Sequence, residues 1–363
     1  MPDSLERMVH SRIIFANQLR GIAALCVVLI HYAVAYQIMQ PTVAWVIAAP
    51  PLTGPISPVA RWLFPYWLDG GAFGVALFFL ISGFVIPLSL DRSTRGGFLA
   101  ARFLRIYPTF WLGLTVQWLL IGASAAYWHR PIVFGWPVFI RNALLVNTWF
   151  DGISVDLVSW TLNVEIKFYL IMALLKPYVL ASRIWPLFGV GVFAVALTLL
   201  EAGRLPPQLV QEAMFITYML IGTLFQYHFR KALSTLRLLA GCAVLLTMGA
   251  LCWALGPDAI AWPYKPANYL YASVVFGITY ILRDRFRPSP ILDAAAAISY
   301  PLYLVHSLVG FTVMTFLIAA WGLTYVVAAG FAFVISIAIA SLLHITIEQA
   351  SVRLGRSVTH SKE

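Results

Sequence analysis

The chain predicts an all-α, polytopic membrane protein, and three observations carry that prediction. Its 363 residues are 61% hydrophobic and only 10% charged, with a mean hydropathy of +0.85, far outside the range of soluble domains. Long apolar runs recur from end to end instead of forming one anchor. Lys and Arg gather in alternate connections between those runs.

Ten spans are read in order, at 13–36, 72–90, 106–127, 159–175, 184–200, 210–228, 238–255, 267–282, 295–319 and 323–346. Ten crossings put both termini on one side. With the N-terminus inside, seventeen of the 24 Lys and Arg residues are cytosolic. Arg61, Arg130, Arg141, Arg204 and Lys265 fall outside, and Arg20 and Lys167 lie within spans. That bias predicts cytosolic termini, so the net charge of +10 is mostly topological and implies a lipid bilayer and no nucleic-acid partner. No linker or low-complexity tract interrupts the pattern, and residues 1–363 read as a single membrane-embedded domain. Arg7, Arg12, the first apolar run and Ala33-Val34-Ala35 also resemble a cleavable leader. The nine later spans need no leader, and the first segment is kept as a true span.

Two outer connections are long. Residues 37–71 carry Pro41, Pro50, Pro51, Pro55, Pro58 and Pro65 with Trp45, Trp62 and Trp67; residues 128–158 carry Trp136, Trp149, Asn142 and Asn147. Proline excludes long regular helices there, and the tryptophans suit either an interfacial aromatic belt or a sugar-binding surface. Cys26, Cys242 and Cys252 sit in apolar runs without zinc or redox spacing, which reads as packing, and no metal is expected. No internal repeat is evident, which weakens a transporter built on inverted halves.

Arg20 and His31 lie eleven residues apart on the first span. At about 100° per residue they share a face, separated by about 16 Å along the axis. A cation and an imidazole inside a membrane span are costly and are kept for function.

Five fragments then follow in order. They are the Arg20–His31 span; Phe78-Phe79-Leu80-Ile81-Ser82-Gly83-Phe84; Arg102-Phe103-Leu104-Arg105-Ile106-Tyr107-Pro108 with Trp111; Trp160-Thr161-Leu162-Asn163-Val164-Glu165 with Phe168-Tyr169; and Ile298-Ser299-Tyr300-Pro301-Leu302-Tyr303-Leu304-Val305-His306. In this order they resemble integral-membrane acyltransferase family 3, over roughly residues 13 to 346. The resemblance implies a bacterial inner-membrane O-acyltransferase moving an acyl group, acetyl by default, from cytosolic acyl-CoA to a hydroxyl of a cell-surface glycan, lipid-linked sugar or secondary metabolite. Thr161 stands where a serine is common in that family. No SGNH-type hydrolase-like domain follows the last span, so chemistry performed there in larger relatives is expected to be absent or supplied by another protein.

Within that resemblance His31 is the expected general base, since neutral imidazole suits removal of a hydroxyl proton near pH 7. Counted inward from the outer ends of their spans, His31 and Glu165 reach similar depths. Glu165 is therefore the expected partner that orients the imidazole, with pairing to Tyr169 one turn on as the alternative. Lys167, two residues away, faces elsewhere. Arg102 and Arg105 at the start of the third span, with Arg20, suit the phosphates of CoA; anionic lipid headgroups are the other reading and suffice for Arg92 and Arg95. Ser82-Gly83 reads first as a close helix contact, with Ser82 also able to line an acyl-CoA passage. His306, placed near the depth of Arg20, either contacts the donor or bonds to Tyr303 and neighbouring helices. The remaining histidines are terminal or near an interface.

Direct transfer is expected, with an acyl-histidine intermediate as the other route. Two classes compete with the enzyme: a transporter of acylated lipids or sugars, and a non-catalytic partner of glycan-assembly enzymes. The first predicts flux without CoA; the second predicts that His31→Ala changes nothing.

Overall fold

The computed structural model describes residues 2–52, 54, 57–58, 62, 67–91, 93–150, 153–201 and 205–360, and side chains of these from 13 to 358 apart from 201. Arg61, Arg92, Arg204 and Lys362 of the charge pattern, with Pro55 and Pro65 of the first outer connection, lie outside the described residues. The described residues are helical without strands. The principal helices are α1 Pro2–Ile30, α2 Gln40–Val46, α3 Gly70–Leu90, α4 Arg95–Trp128, α5 Trp136–Ala143, α6 Trp160–Leu174 and α7 Trp185–Glu201. They continue as α8 Pro207–Phe229, α9 Thr235–Leu255, α10 Tyr264–Ile281, α11 Pro290–Ala319, α12 Tyr325–Leu343 and α13 Gln349–His360. Wide π turns extend α1 at His31–Ala35 and join α12 to α13 at His344–Glu348.

Every predicted span falls on a helix, and among the described residues seven helices are long and apolar enough to cross a membrane. The segments carried by α6, α7 and α10 fall short of that standard. The 15 residues of α6 extend only about 22 Å, against a hydrocarbon core of about 30 Å. The third span needs correction at its start. The helix begins at Arg95, capped by the Thr94 side chain accepting from Gly97 N, so Arg102 and Arg105 sit two to three turns inside it. Arginine lowers hydropathy but is a good helix former, which is why an apolar window ends too early.

The centre of the bundle is a close crossing of α3 and α8. Pro87 lacks the N–H that would bond the Gly83 carbonyl, and Thr223 Oγ1 donates to that carbonyl at 3.1 Å. Gly83 faces the Met219 carbonyl, while Gly222 faces the Leu80 carbonyl; neither position has room for a Cβ. Helices α1 and α10 pack on α3 beside this crossing, and α11 packs on α1. Gly21 lets α1 approach the Ala295–Ala296 backbone of α11, and Gly310 of α11 receives the Tyr32 ring. Tyr32 Oη donates to the His306 carbonyl at 2.7 Å and also pairs with Ser336 Oγ at 2.7 Å. These contacts fix α1 against α11, the two helices that carry the histidines.

The loop before α6 is sunk among the helices. Ser307 Oγ, beside His306, donates to the Asp156 carbonyl, and Thr161 Oγ1 pairs with Tyr303 Oη at 3.0 Å. Irregular backbone at that depth requires internal partners. Asp156 Oδ1 supplies them, accepting from Ser154 Oγ, Val158 N and Ser159 N at 2.8–3.1 Å. Asp156→Ala is expected to cost about 1 kcal/mol, as lost capping contacts do, read as a lower Tm in detergent; an unchanged Tm would show that the carboxylate is dispensable.

Candidate active site

Two joined cavities open from the arginine-rich end of the bundle. The wide chamber, about 690 Å³, has five guanidiniums in its wall, Arg20, Arg102, Arg105, Arg353 and Arg356, and one carboxylate, Glu348. Arg20, Val85, Arg102 and Arg105 also line a second, narrow cleft of about 100 Å³. That cleft runs past Ser82, Glu165 and Tyr169 to Phe78, Thr161 and Tyr303.

The arginines differ in how much of their hydrogen-bonding capacity the protein uses. Arg105 forms an ion pair with the buried Glu348, whose other oxygen meets His344 Nδ1 at 2.6 Å, and its guanidinium lies 5.5 Å from the Tyr300 ring centre. Arg102 rests between Phe98 and Tyr169, at 5.4 and 5.5 Å from their ring centres, and its buried Nε has no hydrogen-bond partner. No described residue forms a hydrogen bond with Arg20, which lies within electrostatic reach of Arg102, Arg105 and Glu165. Positive charge thus outweighs negative charge in a cavity with unsatisfied donors, an arrangement that attracts an anion of several phosphates.

Glu165 belongs to this cleft and not to His31. Its Oε1 accepts from Tyr169 Oη at 2.7 Å and from Ser82 Oγ at 3.2 Å. The intrahelical alternative is therefore the one realised, and Lys167 turns away to Glu212 at 2.8 Å. The expected His31–Glu165 pairing assumed that α6 begins at the outer surface. Because the preceding loop is sunk to the level of Ser307, Glu165 lies deeper, level with the arginines. Ser82 takes both readings: it lines the cleft, and its neighbour Gly83 makes the helix crossing.

His306 requires the opposite correction. Because α11 starts at Pro290, His306 is more than four turns into the helix and meets His31 instead of Arg20. The rings are 4.9 Å apart, with His31 Nδ1 2.9 Å from His306 Nε2. His306 Nδ1 faces the Leu302 and Tyr303 carbonyls at 3.1 and 2.9 Å. A carbonyl oxygen can only accept, so His306 Nδ1 carries the proton in the neutral ring and Nε2 is an acceptor. His31 must then donate from Nδ1, which leaves His31 Nε2 as a free lone pair. His306 is fully buried, whereas His31 keeps partial exposure.

Arg20 and His31 both address α11, as their eleven-residue spacing predicts, but His31 is not in the wall of the cleft. Tyr303 and Phe78, with ring centres 5.4 Å apart, close its end, and the Tyr303 ring lies 6.0 Å from His306. Sequence reasoning gave no site role to Tyr300, His344, Glu348, Arg353 and Arg356, and named Tyr303 only as a bonding partner of His306, whose ring does meet the Tyr303 carbonyl. The signal for Arg353 and Arg356 was a pair of arginines three residues apart beyond the final apolar run, which places them on one helical face.

Comparison with known proteins agrees with this architecture. The acyltransferase domain family, Acyl_transf_3, matches residues 13–345. The chain is 30% identical over 168 residues to nodulation protein 10 of Rhizobium leguminosarum bv. viciae, covering 42% of this chain and 43% of that protein. It is 33% identical over 159 residues to the exopolysaccharide production protein ExoZ of Rhizobium meliloti strain 1021, covering 41% and 45%. It is also 32% identical over 108 residues to the acyltransferase MdmB of Streptomyces mycarofaciens, covering 28% and 27%. Each alignment spans less than half of the relative's own length, and no solved structure matches. The family match covers nearly the whole chain, and the protein belongs to acyltransferase family 3, a family of multi-pass membrane proteins.

Proposed function

We propose that the protein transfers an acyl group, acetyl by default, from acyl-CoA to a hydroxyl of a surface glycan or lipid-linked sugar at the bacterial inner membrane. The observation that carries this reading is the His31–His306 pair, in which backbone carbonyls fix one ring and that ring fixes the tautomer of the other. The relative named for exopolysaccharide production supports the acceptor class.

In this reading the donor enters the arginine-rich chamber from the cytosol, the side assigned to both termini by the charge pattern. Its diphosphate meets Arg20, Arg102 and Arg105, where guanidinium forks match phosphate oxygens. The pantetheine arm lies along the cleft past Ser82 and Glu165. Extended, it has the reach of a peptide of about five residues, on the order of 16 Å, which matches the Arg20–His31 offset of about 16 Å. The Phe78–Tyr303 ring pair must swing aside for the thioester to meet His31. The acceptor hydroxyl gives its proton to His31 Nε2 as its oxygen bonds to the thioester carbonyl carbon. Collapse of the tetrahedral adduct breaks the C–S bond, and the departing thiolate takes the proton from His31, giving ester and free CoA thiol. His306 Nε2 accepts from His31 Nδ1 throughout and so holds the imidazolium in place.

The test supplies labelled acetyl-CoA to sealed membrane vesicles of known orientation and follows label into glycans and lipids by mass spectrometry. Transfer is expected only with acetyl-CoA on the cytosolic face and with native His31. Labelling that ignores CoA, or that survives His31→Ala, would sink the reading. Label retained on the protein without acceptor would instead select the acyl-histidine route.

A further inference from the structure

We propose that Glu165 binds the donor itself, its second carboxylate oxygen accepting the pantetheine amide N–H nearer the diphosphate, so that the cleft selects carriers with an amide-bearing arm. The inference rests on the acyl-CoA reading above and gives a role to the carboxylate of the cleft, which the His31–His306 pair leaves without a part in proton transfer.

An ionisable side chain inside a membrane bundle is costly and is kept where it has a partner or a ligand. Glu165 Oε1 accepts from Tyr169 Oη at 2.7 Å and from Ser82 Oγ at 3.2 Å, which fixes the carboxylate in the cleft wall. Glu165 Oε2 forms no hydrogen bond with any described residue. Glu165 makes no ion pair with Arg20, Arg102 or Arg105 either, although Arg20 lies within electrostatic reach.

The hydroxyls that line the cleft have one hydrogen each, and the protein uses all of them. Ser82 and Tyr169 give theirs to Glu165. Ser299 donates to the Ala296 carbonyl at 2.7 Å and Tyr300 to the Ile106 carbonyl at 2.8 Å. Thr161 and Tyr303 spend theirs on the Val158 carbonyl and on each other. Beyond the guanidiniums at its neck, the cleft therefore offers a charged acceptor and no spare donor. A chain lying beside Glu165 must bring its own.

The pantetheine arm brings amide N–H groups. Tyr169 indicates which one is held: its ring carries the Arg102 guanidinium at 5.5 Å while its hydroxyl holds Glu165. The carboxylate thus stands within one side chain of the phosphate-binding arginines, where the amide nearer the diphosphate passes. An N–H to carboxylate bond is charge-assisted. A carrier without that N–H leaves Oε2 unpaired, and such a loss is how a polar site discriminates.

The experiment measures binding to the full chain in phosphatidylcholine nanodiscs of CoA and of a CoA analogue in which an ester oxygen replaces that N–H. The native protein is expected to bind CoA about tenfold or more tightly than the ester, the scale of a hydrogen bond to a charged group. Glu165→Ala is expected to lower CoA affinity to that of the ester, while the ester binds as well as to the native protein or better. Equal affinities in the native protein would overturn the proposal, and that comparison needs no variant. A variant that weakens CoA and ester by the same factor would make Glu165 a structural counter-charge and overturn it as well. Both of these outcomes leave CoA bound and the acyl-CoA reading standing. A native protein that binds neither ligand would overturn that reading together with the inference.

Discussion

His31→Asn is expected to lower kcat for acyl transfer by about 10²- to 10⁴-fold, the usual contribution of a positioned general base, with protein level and donor KM little changed. Asparagine is the informative replacement because its amide can still donate to His306 Nε2, which preserves the contact between α1 and α11 at 2.9 Å in the native pair. It removes only the lone pair that His31 presents on Nε2. His306→Ala is expected to act through His31, lowering kcat by about 10- to 100-fold, less than loss of the base itself. His31 would then lose the acceptor that selects its tautomer. Tyr32 bonds the His306 carbonyl and not its ring, so the backbone junction survives that substitution. A merely structural His306 would instead reduce folded protein and leave the turnover of the remainder intact. Measured kcat and KM on quantified, folded protein separate the two. Full turnover in His31→Asn would remove the base from the mechanism.

The positions of the helices were legible because an apolar run in a membrane protein is a one-dimensional signal, and each predicted span lies on a helix. The shared orientation of Arg20 and His31 was legible for the same reason, since both stand on a single α-helix up to the π turn at His31. Depth was not. It depends on where each helix starts relative to its neighbours, and that is set by contacts between distant segments. Ser307 holding the Asp156 carbonyl sinks the start of α6 and carries Glu165 to the arginines. Five additional residues at the start of α11 carry His306 to His31. Ser82 and Glu165 are 83 positions apart, and no periodicity encodes their bond. Arg353 and Arg356 were hidden by their polarity: hydropathy ends the last span before them, although α13 continues as a helix. The resemblance to acyltransferase family 3 rested on motif order, which tolerates such errors of depth.

Gly83→Ala is expected to destabilise the protein by at least about 1–3 kcal/mol, the cost of forcing atoms into a packed interior. A Cβ at this position would overlap the Met219 carbonyl, and the obstacle is backbone, which cannot rotate out of the way. Relief requires α3 and α8 to separate. Separation would lengthen the Thr223–Gly83 hydrogen bond, the contact that satisfies the carbonyl left open by Pro87. An unsatisfied carbonyl in a membrane interior adds a further penalty of kcal/mol order. The adjacent Ser82 would shift with the backbone, so its contact with Glu165 in the cleft should weaken and transfer should fall together with stability. Gly222→Ala meets the Leu80 carbonyl from the other side and is expected to behave alike. Gly122 provides the control: it lies within α4 with nothing near its missing Cβ, and Gly122→Ala should be neutral or stabilise by about 0.5–1 kcal/mol. Thermal unfolding of the three purified variants in one detergent gives the comparison. A native Tm in Gly83→Ala would mean that α3 and α8 do not cross at van der Waals contact, and the cleft that depends on that crossing would have to be redrawn.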